Sequence, residues 1–148
     1  MYDRILLPTD GSDAATAATE HAIDLARAYD APLYVLHVVD TRPYDAESIT
    51  QSVIEPLEER GQRAVDEVVE AASAHGLDRT ETAVVRGDPH ETVLEYVDEH
   101  DIDLIVMATH GRSGVKRYLL GSVTEKIIRT APVPVHVVRA TETDLEDG

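Results

Sequence analysis

Short apolar runs alternate with amphipathic helical segments along this chain, and this alternation restricts the possible folds more than any other feature. Five runs have the length and apolar character of strands, and the segments between them repeat apolar residues at helical spacing. The runs are 5–7, 33–39, 82–85, 103–107 and 135–138. Strands that alternate with helices in this way form a parallel sheet with helices on both faces. The sequence therefore predicts an α/β domain with an open five-stranded parallel sheet.

The predicted helices carry recognisable start signals. We expect Ser12 to cap the first helix, and Asp88 with Glu91 forms a capping box that opens the third. Ser122 with Glu125 forms a second capping box before the last helix. The second helix should follow an irregular stretch, 40–54, tolerate Pro56 near its start and run to about His75. The residues expected to face inward on the first two helices are Ala14, Ala18, Ala22, Leu25, Tyr29, Leu57, Val65, Val68, Val69 and Ala72.

Composition narrows the protein class. A chain of 148 residues suits one domain, and the absence of Cys, Phe and Trp leaves an aliphatic core and excludes disulfides and thiol chemistry. No signal peptide is visible and no run reaches the roughly 20 apolar residues of a membrane span, so we expect a cytoplasmic protein. We assign residues 1–140 to the domain and predict that 141–148 form an acidic, disordered tail.

The formal net charge is −16, and the acidic residues are spread along the chain. Arginine outnumbers lysine eleven to two. An acidic partner-binding surface could explain the excess, but its dispersion favours a surface adapted to high salt, as in a halophile. No basic face is large enough to follow a phosphate backbone, so nucleic-acid binding is not expected.

One stretch departs from this acidity. Between Arg112 and Arg129 the chain has five basic residues and one acid, a local charge of +5 − 1 = +4. The same region holds Gly111, Gly114 and Gly121, and it leads from an apolar run into a predicted helix. Glycine lets backbone N–H groups approach an anion, and a helix start adds unpaired donors and a positive dipole. The pattern predicts an anion cradle that suits phosphate.

The ordered set of motifs resembles the universal stress proteins of the single-domain type over roughly residues 2–139. The matching segments are 5–12 (ILLPTDGS), 37–40 (HVVD), 87–89 (GDP), 103–111 (DLIVMATHG) and 131–138 (APVPVHVV). The resemblance implies a Rossmann-like fold of the adenine nucleotide alpha hydrolase-like kind, with strand order 3-2-1-4-5. In such sheets ligands bind beyond the carboxyl ends of the strands where the order reverses, here between the first and fourth strands.

ATP-binding members of that family carry Gly, two residues, Gly, nine residues, and then Gly with Ser or Thr. Gly111 and Gly121-Ser122 match this spacing, whereas Ala108 stands at the first glycine position. A methyl group there would hinder the nucleotide if the backbone needs a positive φ or close contact, and would cost little otherwise. The resemblance implies ATP as ligand, with magnesium or manganese as its companion. The predicted binding residues are Pro8, Thr9, Asp10, Val38, Met107, Ala108, Gly111, Arg112, Gly114, Gly121, Ser122, Val123 and Thr124.

Several of these residues also have a purely structural interpretation. Ser122 could simply cap a helix, and Asp10 could start the first helix through an Asx turn. Asp40 is better explained as a turn residue that ends a strand. No two of the seven histidines have a metal-ligand spacing, and His110 is more simply a loop hydrogen-bonding residue than a base.

Three functions remain open at this stage. The first is an ATP-binding regulatory protein that acts as a dimeric, nucleotide-dependent switch on an unknown protein partner. The second is a dimeric stress-response scaffold without nucleotide, and the third is a slow ATPase or self-phosphorylating protein. No Walker-type motif or evident catalytic base is present, so we predict no catalytic residue. The fifth strand should lie at a sheet edge and pair with its copy in a homodimer.

Overall fold

A computed structural model describes residues 1–109 and 120–139. Strands and helices alternate throughout these two segments, as the apolar pattern predicts. The strands are β1 (Ile5–Pro8), β2 (Leu33–Asp40), β3 (Thr80–Gly87), β4 (Leu104–Ala108) and β5 (Val135–Val138). The helices are α1 (Asp13–Tyr29), α2 (Gln51–Ala74), α3 (Pro89–Glu99) and α4 (Ser122–Thr130).

The strands form one parallel sheet in the order β3-β2-β1-β4-β5, which confirms the predicted topology. Chain order reverses between β1 and β4, because β1 pairs with β2 on one side and with β4 on the other. β3 and β5 lie at the two edges. The carboxyl ends of β1, β2 and β4 therefore meet at the switch point, where ligands bind in open sheets of this kind.

Helices cover both faces of the sheet and create two apolar layers. The layer on the α1 and α2 side contains Leu7, Val35 and Val106, and the layer on the α3 and α4 side contains Leu6, Leu36 and Ile105. Successive residues of the central strands thus enter opposite layers, and the strands are buried on both faces. This explains why their sequences are continuously apolar instead of alternating.

Two predicted helix starts are confirmed. Ser12 caps α1 and its side chain accepts a hydrogen bond from the backbone N–H of Ala15. Asp88 caps α3 and accepts from the N–H of Glu91 at 3.3 Å, with Pro89 in the first turn. Both polar side chains satisfy backbone donors that the first helical turn leaves without partners.

The starts of α2 and α4 differ from the prediction. α2 begins at Gln51, inside the stretch expected to be irregular, so Pro56 lies within the helix. Because proline has no N–H, the carbonyl four residues earlier lacks its helical hydrogen bond. α4 is capped by Gly121, so Ser122 is its first helical residue and the predicted Ser122–Glu125 capping box is wrong.

In the part of the chain that the structure describes, no helix is long and apolar enough to cross a membrane. The predicted acidic tail, 141–148, lies outside the described residues.

Candidate functional site

The turn that follows β1 forms one wall of the switch-point crevice. The N–H of Thr9, the residue after β1, donates a hydrogen bond to the carbonyl of Leu36. The Thr9 hydroxyl accepts a hydrogen bond from the N–H of Gly11 in the turn. Asp10 accepts from the N–H of Ser12 at 3.0 Å, which confirms the predicted Asx turn. Gly11 has a φ of +77°, which glycine adopts without strain. The turn places the Asp10 carboxylate at the carboxyl edge of the sheet.

The backbone of Val38 faces the crevice beyond the end of β1. Alternate residues of a central strand direct their N–H and C=O groups to opposite neighbours. The amides of Leu33 and Thr41 donate to carbonyls in and beside β3, so odd-numbered positions face β3 and Val38 faces the β1 side. The β1 ladder stops at Pro8, opposite Leu36. Within the described segments, the β1–β2 ladder therefore contains no hydrogen-bond partner for Val38 on that side. The N–H and C=O groups of Val38 are thus positioned to form hydrogen bonds with the edge of a base.

The end of β4 lies across from this turn. Extending the β1–β4 register, in which Ile5 is level with Leu104, places Ala108 level with Thr9. Ala108 has no positive φ, since the described non-glycine residues with positive φ are Asp30 and Asp101. Its methyl group is buried in the apolar layer on the α1 and α2 side. The backbone geometry that would demand glycine at position 108 is therefore not the geometry found here.

Two tertiary hydrogen bonds attach the start of α4 to the end of β4. The N–H of Gly121 donates to the Thr109 carbonyl at 2.7 Å, and the buried Thr124 hydroxyl donates to the Ala108 carbonyl at 3.0 Å. The first helical hydrogen bond runs from the N–H of Glu125 to Gly121. The N–H groups of Ser122, Val123 and Thr124 therefore have no partner within the helix, which is the donor arrangement that binds phosphate.

The Ser122 side chain is available at this helix start. Because Gly121 occupies the N-cap position, the Ser122 hydroxyl does not cap the helix, and the residue is exposed. The structural interpretation of this serine therefore fails, and its hydroxyl and N–H both lie at the positive end of the helix. Met107 and the half-buried Val123 pack in the apolar layer on the α3 and α4 side, and Thr124 is buried at the start of α4.

A buried histidine supports the turn after β1. The Nδ1 atom of His37 lies 2.9 Å from the Thr9 carbonyl oxygen, so its N–H donates to that carbonyl. The ring also packs against Gly61 of α2, where an added Cβ would lie 2.5 Å from the His37 Cδ2 atom. His37 thus connects α2 to the turn that carries Asp10. The sequence predicted only that His37 lies in a strand. Its contacts with Thr9 and Gly61 join residues that are distant in the chain, so local spacing could not predict them.

Charged groups at the same sheet edge are partly paired. Asp40 ends β2, as predicted, and holds Arg42 through two side-chain hydrogen bonds of 2.7 and 2.9 Å. The hydrogen bonds from Arg42 hold the pKa of the Asp40 carboxyl below its usual value. On α4, Arg129 pairs with Glu125 at 2.7 Å, and Glu125 is the one acid already counted in the local charge of +4.

The structure brings nine of the thirteen predicted site residues to the carboxyl ends of β1 and β4 and the start of α4, and Val38 to the adjoining end of β2. The nine are Pro8, Thr9, Asp10, Met107, Ala108, Gly121, Ser122, Val123 and Thr124. The remaining three, Gly111, Arg112 and Gly114, lie outside the described residues, as does His110.

Sequence spacing missed one pair of histidines. His21 on α1 and His136 on β5 have ring centroids 5.8 Å apart, although they are distant in the chain. The sequence shows no local metal-ligand spacing, but the sheet topology brings these two side chains together. In the two described segments, no cluster of three or more His, Asp or Glu side chains could hold a metal ion.

Taken together, these features define an α/β protein with a Rossmann-like sheet of the adenine nucleotide alpha hydrolase-like kind and a phosphate-type helix start at its switch point. The profile of the universal stress protein family matches residues 1–139. Universal stress protein MJ0531 of Methanocaldococcus jannaschii is 39% identical over 142 residues, which cover 94% of this chain and 83% of that protein. The chain therefore belongs to the universal stress protein family, as the sequence motifs predicted.

Solved structures agree with this assignment. Universal stress protein UspA from Lactobacillus plantarum superposes with a TM-score of 0.82 at 32% identity, covering 93% of this chain and 98% of that one. A universal stress protein crystallised in complex with cAMP superposes with a TM-score of 0.74 at 27% identity, covering 95% of this chain and 99% of that one. Adenine nucleotide binding is thus documented for a structural neighbour.

Proposed function

We propose that this protein binds an adenine nucleotide, with ATP as the preferred ligand, and acts as a dimeric regulatory switch. The observation that carries the proposal is the arrangement at the end of β1. There the side of the Val38 backbone that has no ladder partner among the described residues faces the switch point, and three N–H groups without a partner inside α4 begin at Ser122. The first feature suits the edge of a base, and the second suits phosphate oxygens.

Each part of the nucleotide has a matching group in this arrangement. The Val38 N–H and C=O can pair with the donor and acceptor atoms of adenine, and the Asp10 carboxylate can accept from ribose or base. The Ser122 hydroxyl adds one donor to the three helical N–H groups. The half-buried state of Val38 and Asp10 keeps this region accessible. A divalent ion, magnesium or manganese, would arrive with the phosphates.

The conformation of Ala108 supports a nucleotide-binding protein over a scaffold without nucleotide. The methyl group points into the apolar layer beside Leu7 and Val106, and the backbone needs no glycine. The neighbour solved with cAMP supports an adenine ligand, because it shares both fold and moderate sequence identity with this chain. We place this activity in the cytoplasm, where ATP is abundant.

The proposed dimer forms through β5. This strand lies at the sheet edge, begins after Pro134, and has half-buried side chains at Val135 and Val137. An edge strand presents unpaired backbone groups that a second copy can satisfy. A two-fold axis through β5 would continue the sheet across both copies. Nucleotide occupancy at α4, which packs on the same side as Val135, could then be sensed at the interface.

Calorimetry with ATP, AMP, cAMP and GTP tests the nucleotide proposal. We expect binding of adenine nucleotides, with ATP tightest, and at least tenfold weaker binding of GTP. Ser122→Ala should weaken ATP binding several-fold, whereas Ser73→Ala, at an exposed serine of α2, should leave it unchanged. Absorbance offers an independent check, since six Tyr and no Trp make a bound adenine easy to detect near 260 nm. Absence of binding for every nucleotide would favour the scaffold.

Turnover is a separate question with a separate assay. Hydrolysis needs a residue that orients water and a firmly held metal. We predict no catalytic residue, so phosphate release should be slow or absent even where ATP binds. Rapid, metal-dependent release of phosphate would instead favour the ATPase alternative. Incorporation of labelled phosphate into the protein would favour self-phosphorylation.

A further inference from the structure

Two exposed imidazoles lie side by side on the face of the sheet that α1 covers. The ring centroids of His21 and His136 are 5.8 Å apart, with 38° between the ring planes. Both residues are exposed, so neither is needed to fill the core. They come from the middle of α1 and from the edge strand β5. Those residues assigned to the nucleotide that the structure describes lie at the carboxyl edge, and this pair is not among them.

Strand alternation explains why the two rings meet. Val138 belongs to the apolar layer on the α1 and α2 side, and Val135 packs on the opposite layer. His136, two residues before Val138, therefore lies on the α1 side. On α1, Ala18 and Ala22 face that same layer, and the neighbouring His21 contacts the ring of His136 on the edge strand. The face on which His136 lies therefore follows from the alternation of β5.

The separation of the rings suits a shared metal ion. A zinc-class ion bonds imidazole nitrogen at about 2.0–2.1 Å and so lies roughly 3.2 Å from each ring centroid, which puts two centroids about 5.2 Å apart at the tetrahedral angle and at most about 6.4 Å apart. The observed 5.8 Å falls inside this limit. Imidazole is the ligand type that zinc, copper and nickel prefer over calcium or magnesium. Two imidazoles fill only half of a tetrahedral shell, and the described residues of one chain supply no third ligand.

We propose that His21 and His136 form half of a transition-metal site, and that the same pair from a second copy completes it. The inference rests on the β5 pairing proposed above and not on nucleotide binding. When two β5 strands pair antiparallel as one continuous sheet, opposed residues must share a face. The two-fold axis must then lie where one residue of β5 is directly opposite the same residue of the second copy, and not midway between two successive residues. For the four-residue strand Val135–Val138, the central choices are His136 and Val137.

Either axis brings the two histidine pairs together. With the axis at His136, the two His136 side chains are directly opposite, with Cβ atoms about 4.5–5.5 Å apart. With the axis at Val137 they are diagonal neighbours, about 7–8 Å apart. In both cases they lie on the same face, each with its own His21 beside it. Four imidazoles around one ion make a closed tetrahedral shell, which is the arrangement of a structural zinc site.

Zinc titration by calorimetry, with sedimentation velocity in zinc and in EDTA, tests this inference. We expect one Zn²⁺ per two chains and a dimer that dissociates at least tenfold less readily in zinc. His21→Gln and His136→Gln should each weaken zinc binding at least tenfold. His75→Gln is the matched control, because His75 is also exposed and lies at a helix end far from β5. It should leave both zinc affinity and dimerisation unchanged.

The outcomes distinguish failure of the metal site from failure of the proposed β5 dimer and of the proposed nucleotide binding. A dimer in EDTA that binds no zinc, or that binds it equally well in both histidine variants, overturns the metal site and leaves the β5 dimer standing. Saturation at one Zn²⁺ per chain also overturns the shared site. A monomer in both EDTA and zinc overturns the site together with the β5 pairing. ATP calorimetry on the His136→Gln variant should match the unmodified protein, since nucleotide binding is independent of this site.

Discussion

The imidazole of His37 holds the carbonyl of Thr9 through a hydrogen bond of 2.9 Å and occupies the space where residue 61 would carry a Cβ. The glycine on α2 and the histidine on β2 are therefore complementary. Because Thr9 directly precedes Asp10, the position of the turn in the proposed nucleotide site depends on packing between a strand and a helix. The contact links the stability of α2 to the geometry of the site.

Gly61→Ala tests this link. Alanine in a helix is normally better than glycine by about 1 kcal/mol. Here its Cβ would lie 2.5 Å from the His37 ring, which must move. Overpacking of this kind costs about 1–3 kcal/mol, so we expect lower stability in urea denaturation and weaker ATP binding. Arg63→Ala, at an exposed position of the same helix, should change stability by less than about 0.5 kcal/mol. Equal stability of the two variants would contradict this account.

The start of α4 allows folding and binding to be separated. Thr124→Val removes the hydroxyl that satisfies the buried Ala108 carbonyl, and an unsatisfied buried group costs about 1–3 kcal/mol. Ser122→Ala removes an exposed hydroxyl that does not cap the helix, so stability should change by less than about 0.5 kcal/mol while ATP affinity falls. Denaturation curves and calorimetry on both variants check this. A large stability loss for Ser122→Ala would show that the hydroxyl is structural.

Ala108→Gly should not improve nucleotide binding. The alanine has an ordinary φ and its methyl is buried in the apolar layer. Glycine there loses this packing and gains backbone freedom in the unfolded chain, so we expect about 1 kcal/mol lower stability. ATP affinity should stay within about threefold of the original, a difference below 1 kcal/mol. Calorimetry settles the point, and a gain of tenfold or more would mean that the methyl obstructs the ligand.

Much of the fold follows from local patterns, because strands, helix caps and turns are encoded by neighbouring residues. The strand order came from the family resemblance, and Ser12, Asp88 and the Asp10 turn followed from capping chemistry. Capping chemistry did not predict the start of α4 correctly, although Ser122 and Glu125 have the spacing of a capping box. Tertiary hydrogen bonds from Gly121 and Thr124 to the end of β4 start this helix one residue earlier.

The remaining features could not be predicted because they depend on distant contacts. The backbone conformation at Ala108 is set by its place at the end of β4, and the sequence alone left it open. The proximity of His21 and His136 requires knowing that α1 lies over the side of the sheet that carries β5. The role of His37 likewise depends on a helix reached only after a long connection. Local spacing carries no information of this kind.

Burial raises the pKa of Tyr96 to about 12, and the negative charge of Glu81 and the nearby Tyr34 act in the same direction. An unfolded tyrosine has a pKa near 10, so above pH 10 the unfolded chain releases this proton while the folded protein retains it. The contribution of Tyr96 to the free energy of unfolding is fully present below pH 10, and this free energy should fall by roughly 2–3 kcal/mol as pH rises to about 12. Tyr96→Phe should flatten this decrease in urea denaturation, whereas Tyr29→Phe, at an exposed tyrosine, should not.

The net charge of −16 predicts a protein that salt stabilises. Self-repulsion between acids opposes the compact state, and about 2 M KCl screens it almost completely. A gain of about 1–2 kcal/mol corresponds to a Tm increase of roughly 2–8 °C for a domain of this size. Glu67→Lys with Glu70→Lys, both at exposed positions of α2, changes the net charge to −16 + 4 = −12. This variant should melt higher than the original at 0.1 M KCl and gain less from added salt. A Tm that does not depend on KCl would mean that the acidic surface serves a partner instead of a saline solvent.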